Sequence, residues 1–296
     1  MQSGAELEAI LIAAKSVGLP FLVALPGMFL ARGWSRRDDP TRRRWANVIS
    51  TVFVVLGVLA GYAALNFEAW HFPPAQVMDW LPWLAIAAAA VLMPLEYFAA
   101  GKRLWFAAQV VLVGFSSWVM LPPATLEAGA ATVASRLLPM TAAWLLAWRF
   151  LDAVNTPRQS GVALTCCAGA LGFVVALGGS IVIGSASNSL MGALAAWLAI
   201  GVIGGWIPLP RALLGVAALW FGCMLFAAYF YAEMPPWLLG VVLLGLFSVR
   251  LARLATFDGE RRRWRELALN AATAGVPLAV AVGYAVWNYT RQSNAY

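Results

Sequence analysis

The sequence predicts an all-α protein, a polytopic transmembrane helix bundle of about ten spans, with nine as the alternative count and no soluble domain. Three observations carry that prediction. Hydrophobic residues make up 62% of the chain and charged residues 11%, against roughly 45–50% and 25% in a soluble domain. The apolar residues gather in runs of about 20, the length that crosses a bilayer core about 30 Å thick. Basic residues concentrate in alternate gaps between those runs, the pattern of a chain whose basic loops stay in the cytoplasm. A transmembrane barrel is disfavoured, because its strands need only about 9–11 residues and alternate polar with apolar.

Taken in order, the apolar runs place helices near 9–30, 47–66, 80–99, 103–121, 137–153, 161–184, 188–206, 210–231, 235–255 and 267–289. The first run is interrupted by Gly18, Pro20, Pro26 and Gly27. Residues before it include Glu6 and Glu8 and no cation, the reverse of a secretory n-region, so this run is expected to stay as a membrane helix. The hairpins at Ile207–Pro210 and Ala232–Pro235 leave almost no loop, since proline ends one helix and opens the next. An even number of crossings puts both termini on one side. The chain reads as a single transmembrane domain, with 1–157 and 158–296 as pseudo-halves that would be oppositely oriented.

The charges orient the bundle. Arg32, Arg36, Arg37, Arg42, Arg43 and Arg44 fill the first gap, and Lys102 and Arg103 border the third. Arg149 and Arg158 flank the fifth gap, Arg211 the seventh, and Arg250, Arg253, Arg261, Arg262, Arg263 and Arg265 the ninth. Only Lys15, Arg136 and Arg291 of the 20 basic residues fall elsewhere. The other gaps hold Glu68, Asp79, Glu127 and Glu233, with Arg136 their only cation. This asymmetry predicts a multi-pass protein of the plasma (inner) membrane with both termini on the non-cytoplasmic side. Trp80, Trp83, Trp118, Trp237 and Trp287 fall at expected outer ends, and Trp105, Trp148, Trp206 and Trp264 at inner ends, as an interfacial belt requires. Trp197 and Trp220 fall mid-span, where packing would hold them.

A net charge of +7 does not imply nucleic acid, because the arginines sit in short loops beside apolar spans and no recognition motif accompanies them. The expected partners are the bilayer itself, anionic lipid at the basic inner loops, and other membrane subunits. Cys166, Cys167 and Cys223 lie inside apolar runs, in no spacing that suits a disulfide framework or a zinc site. His71 stands alone in an outer loop, a poor basis for a metal site. No catalytic residue, cofactor or metal site is expected. Phosphate loops, HExxH, CxxC and GxSxG motifs are missing, and with one histidine there is little to carry acid–base chemistry. An enzyme is the least supported class.

An ionisable side chain inside a span is a functional candidate by default. Lys15 lies about 9 Å into the first run at 1.5 Å per residue, within snorkelling reach of the surface. Glu96 falls near the inner interface, where Lys102 and Arg103 could pair with it. Arg149 and Asp152, three apart on one face, suit an ion pair that anchors the fifth span. The most suggestive stretch runs from Gly178-Gly179-Ser180 through Gly184 to Ser187, Asn188 and Ser189. Small and polar residues there allow either close helix approach or a broken helix with exposed backbone groups. With the interrupted first run they would occupy corresponding places in two inverted halves, where transporters build midplane sites. Ser180, Ser187 and Asn188 are therefore the candidate substrate path, and 185–189 as an ordinary turn is the alternative.

The expected function is a small-solute transporter or permease, with a non-catalytic scaffold or subunit of a larger membrane complex as the other reading. Length and span count resemble those of the drug/metabolite transporter group, which implies ten helices in two inverted halves. The likeness extends to no motif, and that group keeps its termini in the cytoplasm, opposite to the side these charges indicate.

Overall fold

A computed structural model of the chain describes residues 2–35, 39–66, 72–74, 76–153, 156–204, 209–254 and 262–293. His71, Trp206, Arg36, Arg37 and most of 256–266 lie outside them. The helices are α1 (Gln2–Ala13), α2 (Leu19–Ser35), α3 (Pro40–Asn66), α4 (Trp80–Tyr97), α5 (Lys102–Val119), α6 (Pro123–Glu127), α7 (Ala130–Ala153), α8 (Pro157–Leu177), α9 (Ile181–Gly204), α10 (Arg211–Phe230), α11 (Pro236–Ser248) and α12 (Arg262–Ser293). Among the described residues there is no strand, and the chain is an all-α bundle. Among the described residues eight helical stretches are long and apolar enough to cross a membrane, and Pro236–Leu251 is a shorter apolar helix. The expected span at 103–121 forms α5, but Lys102, Arg103, Gln109, Ser116 and Ser117 leave it less apolar than the eight.

The core is built around α10. Every residue from Ala212 to Ala228 is buried, because a helix apolar on all faces can be surrounded by others without stranding a polar group. Its neighbours include α4, α7, α8 and α9. Trp220, expected to be held by packing, donates its indole N–H to the Ala186 carbonyl of α9 at 2.9 Å. A second packed unit joins α2, α3 and α9, and α12 lies along α8 and α11.

Two stretches that composition marks as breaks have different local solutions. In the first run α1 passes into α2 through one turn of π-helix at Ala14–Gly18. Pro20 removes the N–H that would bond back to Ser16, and the widened turn ahead of it absorbs the break. The other break comes earlier than 185–189. The turn is at Gly178–Ser180, where Gly179 has φ +102°, the Ser180 N–H donates to Val175 O and the Gly179 N–H to Ala176 O. That is a Schellman ending, which favours glycine in the left-handed position. Ser185, Ser187, Asn188 and Ser189 consequently lie inside α9.

At the start of α8 a capping box fixes the boundary. Thr156 Oγ1 accepts from the Gln159 N–H, Gln159 Oε1 accepts from the Thr156 N–H, and Pro157 occupies the first helical position.

Candidate functional site

Two arrangements stand out, a charged clasp at the arginine-rich end of the bundle and an apolar groove that begins at the other end.

The clasp starts from Glu96, in the last turn of α4. Its Oε1 accepts from the Arg211 backbone N–H at 3.1 Å and from Asn47 Nδ2 at 2.9 Å. Its Oε2 accepts from the Ala212 N–H at 2.7 Å. One carboxylate thus caps the N-terminus of α10, where free N–H groups and the helix dipole favour an anion, and ties it to α3. Lys102 and Arg103, the expected partners, point outward and are exposed. Asp152, on α7, has a side chain only 4% exposed and receives both Nε and Nη2 of Arg211 in a bidentate pair. Arg149 reaches Asp152 only at 3.9 Å and lies over the Phe106 ring. The expected Arg149–Asp152 contact exists, but Asp152 chiefly holds Arg211. The Arg211 guanidinium stacks at 4.3 Å over Trp105 of α5, so five helices, α3, α4, α5, α7 and α10, meet in this cluster.

Above the clasp, α5 carries buried polar groups. Gln109 is fully buried with neither amide atom hydrogen-bonded, and Trp105 Nε1 and Ser117 Oγ are likewise without a partner among the described residues.

The groove lies between α7, α10 and α11. It has a volume of about 300 Å³ and is partly open. Ala143, Trp144 and Ala147 form one wall, Phe221 and Leu225 the back, and Gly240 and Leu243 the other wall. Ser135, Arg136, Tyr229 and Pro236 surround one end, and Leu151 and Leu246 lie at the other. Trp144 donates its indole N–H to the Ala218 carbonyl at 3.1 Å, which leaves the ring face as apolar lining. Gly222 makes room for this indole, since a Cβ there would lie 2.1 Å from Trp144 Nε1. Leu138, Leu146 and Leu244 are exposed on α7 and α11, as side chains facing hydrocarbon would be.

The remaining sequence candidates lie elsewhere. Ser180 is half-buried in the α8–α9 turn. Ser187 is buried and donates to the Ala168 carbonyl of α8 at 2.8 Å. Asn188 packs over Gly172, whose added Cβ would lie 2.2 Å from Asn188 Oδ1 and 2.8 Å from the Gly184 carbonyl. These residues seal α8 to α9 by close backbone approach and do not line the groove. Lys15 is half-buried in the π-turn, apart from both sites. Among the described residues no three His, Cys, Asp or Glu side chains gather as a metal site. Cys167 and Cys223 are buried and Cys166 half-buried, all as free thiols.

Arg136, Trp144 and Gln109 carry site geometry that the sequence reading passed over. Arg136 alone had a signal, as the lone cation of the acidic gaps.

No protein-family model matches the chain, and a search of curated proteins finds no relative. The apolar helices are those of a multi-pass integral membrane protein, and the functional reading rests on the site geometry.

Proposed function

We propose that this membrane protein is a permease-like bundle that admits a hydrophobic solute from the side, into the groove between α7, α10 and α11. The groove is the observation that carries this reading. Its volume of about 300 Å³ is within the range of small-molecule sites, about 300–1,000 Å³, and its walls are apolar with few polar groups. The clasp of Glu96, Asp152 and Arg211 supports it by fixing α4, α7 and α10 at one end, so the groove keeps its width there. In this reading the arginine-rich end faces the cytoplasm of a plasma (inner) membrane and both termini lie outside. A periplasm-active reporter after Tyr296 and a cytoplasm-active reporter within 256–266 test that orientation, and the opposite activity pattern would overturn it.

The groove is tested with a photoreactive hydrocarbon and the purified chain in nanodiscs. A Cβ at Gly240 meets no atom within 4 Å, so Gly240→Trp projects its ring into open space. Label concentrated on α7 and α11 in the native chain and lost in Gly240→Trp supports the reading. Equal labelling of all lipid-facing helices in both proteins contradicts it.

A second reading, a non-catalytic membrane subunit, draws on the solid packing around Ser187 and Asn188. It requires a stable partner to co-purify from native membrane.

A further inference from the structure

We infer that the occupant of the groove is a long-chain amphiphile with an anionic head, its head against Arg136 and its hydrocarbon chain running between α7 and α11 toward Leu151. This rests on the groove being a binding site, as proposed above, and adds the chemical class and the direction of the ligand.

The shape selects a chain. From Ser135 to Leu151 the α7 wall of the groove extends about 24 Å at 1.5 Å per residue, most of a hydrocarbon core about 30 Å thick. A narrow slot of that length suits one extended hydrocarbon tail.

The distribution of polarity selects the direction. Ser135, Arg136 and Tyr229 stand at one end, and Leu151 and Leu246 lie at the other. An amphiphile would put its head at the first end and its tail at the second.

Charge selects the head group. Arg136 is exposed, and among the described residues it makes no ion pair or hydrogen bond. Arg291, the other arginine that the helix order brings to this end of the bundle, stacks at 4.2 Å on Trp287. Glu127, the acidic residue closest to Arg136 in sequence on this side, is exposed and unpaired with it. A guanidinium presents a planar fork of donors that fits a carboxylate or phosphate in bidentate fashion. Its place at the mouth of the slot is what binding such a head requires.

The test compares two probes with the same chain, oleoyl lysophosphatidylglycerol and uncharged monooleoylglycerol. Binding to the full-length protein in nanodiscs is read by competition against the photoreactive hydrocarbon. The anionic probe should bind the native chain roughly tenfold more tightly than the neutral one, the size of one charge-assisted hydrogen bond. Arg136→Gln should remove that difference and leave the neutral probe unchanged, while Arg136→Lys should keep part of it. Arg136 is exposed, so neither substitution threatens folding. Equal affinity for both probes, unchanged in Arg136→Gln, overturns the head-group assignment and leaves the groove reading standing. If neither probe competes and Gly240→Trp has no effect, the groove reading itself fails.

Discussion

Replacing Glu96 with alanine should loosen the whole bundle, because one carboxylate holds the start of its most buried helix. Three hydrogen bonds are lost, two from the backbone N–H groups of Arg211 and Ala212 and one from Asn47. Loss of a capping side chain costs about 0.5–2 kcal/mol, and a partly buried charge at a helix end contributes up to about 2 kcal/mol. The Asn47 bond to a charged acceptor adds about 1.5 kcal/mol or more. The variant no longer bears the cost of desolvating the carboxylate, which offsets part of this, so the net loss should be about 3 kcal/mol. At roughly 2–4 °C per kcal/mol, the scale for domains of a similar size class, Tm should fall by about 6–12 °C. Glu96→Gln keeps one acceptor oxygen but no charge and should lose about half as much. Thermal unfolding of purified protein in one detergent measures both, with the exposed Glu127→Ala as a control that should not move. A Glu96→Ala Tm within about 1 °C of the native value would refute the capping role.

Three further outcomes follow from particular residues. Asp152→Ala leaves Arg211 without its bidentate partner and should cost about 2–4 kcal/mol, while Arg149→Ala, at 3.9 Å and 40% exposed, should cost under about 0.5 kcal/mol; equal Tm shifts for the two would contradict the assignment of Arg211 as the main partner. Ala99 has φ +52° at the end of α4, with the Ala100 N–H donating to Leu95 O in the same ending that Gly179 serves for α8; Ala99→Gly should therefore raise stability by about 0.5–1 kcal/mol, visible as a higher Tm. Gln109→Leu replaces a fully buried, unpartnered amide and should stabilise by about 1–3 kcal/mol, and a fall in Tm would contradict that reading of α5.

The helices were legible because membrane solvation leaves one dominant signal, long apolar runs bounded by proline, glycine and arginine. Features that depend on contact between distant segments were not. Arg149 and Asp152 sit three apart, and local spacing promotes them as a pair, but Asp152 is taken by an arginine 59 residues further on. Glu96 faces two nearby cations in sequence and instead caps a helix that begins 115 residues later. The α8–α9 turn was misplaced by composition, since the serines of 185–189 satisfy their hydroxyls on helix carbonyls while Gly179 alone supplies the left-handed residue. The groove has three helices for walls and no motif. Its one sequence trace is Arg136, a cation on the side where the charge pattern has almost none.

Direct observation of the groove in a lipid environment bears most closely on function. A density map of the protein in nanodiscs containing an anionic lipid should show a chain-shaped feature between α7 and α11, running from Arg136 toward Leu151. Closure of α7 onto α11, with Trp144 against Leu243 and no such feature between them, would contradict a bound hydrocarbon chain and the permease-like reading that depends on it.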